Sequence, residues 1–187
     1  MNKNNKGYIM SYFDTTQEQE GKLLKGLSVS ENKFQGVAHL NLLEDYGLLR
    51  PSVVEKAKKK DTRHDEVLKD SKEMHDLVQR RFDPARIRRA EQYSCYIENV
   101  EVNNIPGGTP AITLWYPDKL ELTADGLLIP YKASLIAVDG ETQTEARFML
   151  RERIPETGKN KIAITIYHGV SEDHAKQLMY DYNAHRS

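Results

Sequence analysis

The chain has a single cysteine, Cys95, among its 187 residues, which excludes an internal disulfide and any cysteine-rich zinc site. It has no apolar run of about 18 residues, the length a membrane-crossing helix needs, so no membrane partner is expected. The opening M-N-K-N-N-K-G-Y lacks the apolar stretch of a signal peptide, and the expected location is the cytoplasm. No G-x-x-x-x-G-K-[S/T] loop occurs. The six histidines lack zinc-binding H-x-x-x-H spacing with an acidic partner, so no metal site is expected. Ser134 and Ser171 have no nucleophile-elbow context.

The charge is close to balanced, at −1 overall, so the chain is no polycation. Its distribution is uneven. From Arg50 to Arg89 there are 13 Lys and Arg against 8 Asp and Glu, a local excess that favours a phosphate-bearing partner. Ten Tyr, four Phe and one Trp supply enough aromatic surface to argue against wholesale disorder.

Leu23, Leu24 and Leu27 lie on one side of a helix expected over residues 15–26, after a polar tail or edge strand. Pro51 opens a charged segment with few apolar residues that runs to Arg81. Asp83-Pro84 starts a second helix, with Asp83 as N-cap and Pro84 in the first turn. Ile87, Ala90, Tyr93 or Ser94, and Ile97 then recur at helical spacing. Beyond a loop over 103–108, four short strand-like runs follow: Ala111–Tyr116, Leu120–Thr123, Leu127–Tyr131 and Ser134–Val138. The last hardly alternates, as expected of a strand buried on both faces. A helix over 142–153, a strand over 162–167 and a helix from Ser171 to about Asn183 complete an α+β order.

The sharpest local signal is S-L-I-A-V-D-G-E-T-Q. A buried strand ends at Asp139, Gly140 turns, and Thr142 with Glu145 has the T-x-x-E spacing of a capping box. Amides at such a helix start attract anions, and Asp139 can orient a nucleophile, hold a metal or accept from a ribose hydroxyl. The plainer reading is a tight turn and an ordinary cap. Glu141 and Glu145 beside Asp139 invite an acid–base role, although acids there also simply stabilise the helix start. Arg80, Arg81, Arg86, Arg88 and Arg89 form a second candidate. Arg86 and Arg89 share a helix face that suits phosphates, against the alternative of a solvated face. The run Lys56, Lys58, Lys59 and Lys60 has no interleaved aromatics and gives no base-stacking signal.

These motifs, in this order, resemble the DGQHR-domain proteins of the ParB/sulfiredoxin-like superfamily, the DndB-like proteins associated with DNA phosphorothioate modification in particular. The resemblance covers about residues 75–187. Asp139-Gly140 matches the D-G of D-G-Q-H-R, where this chain continues Glu141-Thr142-Gln143. Gln79-Arg80 with Arg86-Ile87 resembles the family's Q-R element, and Ile162–Tyr167 followed by His168-Gly169 its later strand-to-helix step. Tyr180-Asp181-Tyr182-Asn183 resembles its F-x-x-x-N segment. Sulfiredoxin chemistry needs a cysteine in the turn, and Cys95 lies elsewhere.

The resemblance implies a small mixed sheet flanked by helices over residues 79–187, preceded by a helical, charged segment over residues 1–78. The family runs on beyond Ser187, which implies a fragment or a minimal form. It further implies DNA and/or nucleotide binding in an accessory or regulatory role, working with other proteins of a DNA-modification system. ATP hydrolysis with magnesium is the activity it raises. Asp139 and Glu141 would be catalytic; Gly140, Thr142, Gln143, Gln79, Arg80 and Arg86 would hold nucleotide or phosphate. Arg147, one turn beyond Gln143, would stand in for the family's missing arginine. Arg88, Arg89, Lys58, Lys59 and Lys60 would touch DNA. The alternative is a ParB-like fold without chemistry that serves as a protein–protein module of a modification or defence system. A nuclease is a weaker third reading, since no metal-dependent cluster is visible.

Overall fold

The computed structural model describes residues 22–58, 82–131 and 133–184. It begins with strands, β1 (Lys22–Leu24), β2 (Gly26–Ser30) and β3 (Lys33–His39). The helix expected over 15–26 therefore fails over its described residues, and the described N-terminal part joins these strands to two short helices. Leu24 is buried whereas Leu23 and Leu27 are exposed, which is strand alternation and not a helical stripe. The partner that makes β1 a strand is more than 100 residues away, with Leu24 opposite Leu127. Local spacing cannot show such a partner.

Two short helices follow, α1 (Leu40–Asp45) and α2 (Pro51–Lys58). His39 caps the first, its Nδ1 accepting the Leu42 N–H at 3.1 Å; Pro51 begins the second, where its missing N–H costs nothing. Helix α3 (Pro84–Glu101) starts at the expected Asp-Pro, and the Asp83 carboxylate accepts the Arg86 N–H at 2.9 Å. Its buried residues are Ala90, Ser94 and Ile97. Then come β4 (Ile112–Tyr116), β5 (Glu121–Thr123), β6 (Gly126–Ile129) and β7 (Ile136–Asp139). Helix α4 (Glu141–Arg153), a short 3-10 helix (Pro155–Lys159), β8 (Lys161–His168) and α5 (Glu172–Ala184) complete the described chain.

The strands form two sheets, β1-β6-β5 and β2-β3-β8-β4-β7. The larger is mixed: β8 pairs antiparallel with β3 and parallel with β4. It draws strands from both sides of residue 78, so residues 22–39 share a core with the later chain. Ile162, Ile164 and Ile166 point from β8 into the main core with Phe34, Leu114 and Leu135. On the opposite face, Trp115, Ile136 and Val138 pack on Ala175 of α5. Ala90 and Ile97 of α3 pack on Ala146 and Leu150 of α4. The class is α+β.

His168 ends β8 almost fully buried, with Nδ1 accepting the Leu120 N–H at 3.0 Å. Burial, and then the charge of Lys119, holds its pKa below the ordinary 6.5. The neutral ring is the one that fits, so its contribution is complete above the unfolded-state value and is lost as pH falls through the lower folded-state value. Thermal melts between pH 7.5 and 5 should show stability falling with acid, and the slope should flatten in His168→Asn, which accepts without titrating. An unchanged slope would exonerate His168.

Candidate functional site

All four residues of β7 are buried, as the non-alternating S-L-I-A-V predicts. The turn at its end requires glycine. Gly140 has φ 92°, and a Cβ there would stand 3.3 Å from Ile112 Cγ1. Gly140 itself occupies the N-cap position of α4, without a side-chain cap bond. The first intrahelical hydrogen bond runs from Thr144 N–H to Gly140 O at 2.7 Å, so the amides of residues 141–143 precede the ladder.

The expected capping box of Thr142 and Glu145 is therefore corrected. Thr142 lies inside the first turn, and Glu145 is turned away from it and fully buried. Its carboxylate accepts from Arg50 Nε at 2.7 Å, Ser52 N–H at 3.0 Å and Ser52 Oγ at 2.9 Å. Glu145 is thus a tie to α2, and no acid–base group of the turn. The Arg50 guanidinium, held by Glu145 and Glu152, titrates above its usual range despite the opposing effect of burial.

The turn faces a cavity of about 600 Å³, within the roughly 300–1,000 Å³ of small-molecule sites. Val138 to Gln143 form one wall. Arg86, Arg89 and Tyr93 of α3 form another, and Met179 and Asn183 of α5 close a third side. Of the expected site residues, Asp139, Gly140, Glu141, Thr142, Gln143 and Arg86 meet here. Arg86 is ion-paired with Glu141 and lies over the Phe82 ring at 4.9 Å. That pair engages one oxygen of the Glu141 carboxylate. Asp139 lines the cavity and is largely buried.

Arg147 does not line this cavity. It is buried, and its guanidinium donates to both Glu101 carboxylate oxygens at 3.1 and 2.7 Å and to Thr109 Oγ1 at 3.1 Å. The expectation that it replaces the family's phosphate arginine is overturned, because its charge is already neutralised inside the protein. Arg88 is exposed and off the cavity, whereas Arg89, expected on DNA, lines it. Gln79, Arg80, Lys59 and Lys60 lie outside the described residues, and Lys58 is described only as the last residue of α2. Tyr93 was legible only as a core position. Cys95 is exposed on α3.

Gln143 is only 2% exposed, and neither amide atom has a hydrogen-bond partner. An orphaned buried amide costs about 1–3 kcal/mol. Comparison with family models, curated proteins and solved structures finds no match.

Two stability measurements follow from these contacts. Glu145→Ala leaves the Ser52 amide and hydroxyl without their acceptor and Arg50 with Glu152 alone, and urea unfolding should register a loss of about 2 kcal/mol; a loss under about 0.5 kcal/mol would show that the tie is not needed. Gln143→Met keeps side-chain length while deleting the orphan, and should raise stability by about 1 kcal/mol. A clear loss would mean that the amide is satisfied within the fold.

Proposed function

We propose that this chain binds a nucleotide at the Asp139–Gln143 turn and serves as an accessory or regulatory protein of a DNA-modification system, in the manner the DndB-like resemblance implies. The observation that carries the reading is one cavity shared by a glycine-capped helix start and two arginines of α3, Arg86 and Arg89. Anions are favoured there by first-turn amides that precede the helical ladder and by the helix dipole. Arg89 supplies charge-assisted donors suited to phosphate oxygens, and Arg86 would do so on exchanging Glu141 for phosphate. On this reading the α+β domain is of the ParB/sulfiredoxin-like kind.

ATP with magnesium suits the wall chemistry: Asp139 is the carboxylate beside the anion-binding amides, and magnesium commonly takes one or two carboxylates with phosphate oxygens. The proposed role is binding. With Glu141 occupied by Arg86, no general base for hydrolysis is assigned. The exposed Arg88 on α3, with Lys58, Lys59 and Lys60 of the basic run, would then contact DNA, where basic residues neutralise phosphates without reading sequence.

A second reading has its own observation. Strand β2 is a sheet edge, and Leu27 and Val29 on it are 76% and 53% exposed. An apolar edge of this kind suits strand or surface pairing with another protein, as a binding module without chemistry would use.

Melting the full chain with ATP or CTP plus magnesium separates the two. A ligand at a hundred times its Kd raises stability by about 2.7 kcal/mol. Arg89→Ala, which removes a cavity-lining cation with no ion pair among the described residues, should weaken that binding about tenfold, roughly 1.4 kcal/mol, at unchanged unliganded stability. Identical melts with and without either nucleotide would favour the interaction module.

A further inference from the structure

The Gln143 amide is unexplained by the fold. As the third residue of α4 it stands where glutamine commonly reaches back to the cap amide, with Gly140 as the cap. It does not do so, since Oε1 and Nε2 both lack partners. Most buried polar groups are paired, and an exception calls for a cause. Gln143 lines the cavity together with Tyr93 of α3. Tyr93 is itself stacked on Tyr96, at 5.6 Å between centroids and 9° between planes, which fixes it as a flat aromatic surface.

We infer that the Gln143 carboxamide is the specificity-determining group of this cavity and that it takes the edge of a nucleobase. This deepens the nucleotide reading above and rests on it. Oε1 accepts from an N–H of the base while Nε2 donates to the neighbouring ring nitrogen or carbonyl, the paired geometry by which glutamine and asparagine read bases. A phosphate cannot satisfy the amide fully, because phosphate oxygens only accept and leave Oε1 without a donor. A base edge offers a donor beside an acceptor and satisfies both atoms. Both atoms are shielded from solvent at present, and turning the side chain toward the ligand breaks no hydrogen bond because none exists. The base would lie against Tyr93, where stacking is tolerant of base identity, and its phosphates would fall to Arg89 and the first-turn amides.

The experiment is equilibrium binding by the full chain of ATP, CTP, GTP and UTP, with inorganic triphosphate as the base-free probe, for wild type and Gln143→Met. The expected result is that at least one nucleotide binds wild type about tenfold or more tighter than triphosphate. Gln143→Met should lose that advantage while its triphosphate affinity stays within about twofold, and its melting temperature should not fall. If Gln143→Met proves unstable, Gln143→Leu, which also removes both amide atoms, serves the same comparison. Triphosphate binding as tightly as every nucleotide overturns the inference and leaves a phosphate site standing. Tighter nucleotide binding that Gln143→Met retains also overturns it, by moving base recognition elsewhere. Binding of no probe at all overturns the nucleotide reading itself.

Discussion

A carboxylate with no exposure to water governs this structure. Glu145 sits on α4 and is answered by Arg50 and twice by Ser52, so the start of α2 and the middle of α4 stand in one arrangement. An uncompensated charge there would be costly, whereas the complete set roughly offsets its own desolvation. The ion pairs are therefore not the source of net stability, which comes from Ala146, Phe148 and Leu150 packing beneath them. They decide which way α4 turns. Arg147 with Glu101 and Arg153 with Glu98 repeat the device against α3.

The orientation thus imposed shapes the turn before α4. With Glu145 drawn toward α2, it cannot reach back to the helix start. With Gly140 as the cap, no cap side chain covers the start either. The first turn of the helix thus opens on the cavity. Glycine is required for a second reason, since a side chain would crowd Ile112 on β4 in a left-handed conformation. One residue type thus serves both the chain reversal and the open helix start.

How much of this was legible depended on whether the deciding partner was near in sequence. Asp83-Pro84 announced α3 because cap and first turn are contiguous. The run S-L-I-A-V announced a buried strand by composition alone. Leu23, Leu24 and Leu27 misled because three leucines can mark a helix, and the strand partner lies near Leu127. T-x-x-E misled differently. Two local patterns competed for the cap, and the glycine, two residues earlier, won because β7 ends against β4. The turn itself was legible, but the third wall of its cavity, from Met179 and Asn183, is a tertiary accident that spacing does not encode.

Charged and amide residues along a helix usually face water, and that rule hides α4, whose buried set includes Glu141, Gln143, Glu145 and Arg147. Burial alone does not sort these four; their partners do. Glu145 is answered by Arg50 and Ser52, and the two terminal nitrogens of Arg147 by Glu101 and Thr109, with only its Nε unpaired. Glu141 is ion-paired with Arg86 at the cavity wall. Gln143 is answered by nothing. A sequence favoured for stability alone has little reason to keep a buried, unpaired carboxamide where methionine or leucine would fit. A buried group that the fold does not satisfy is best explained by something outside the fold that does. On α4 that criterion points first to Gln143, the one side chain there whose polar atoms are all unanswered, at the cavity end of the helix.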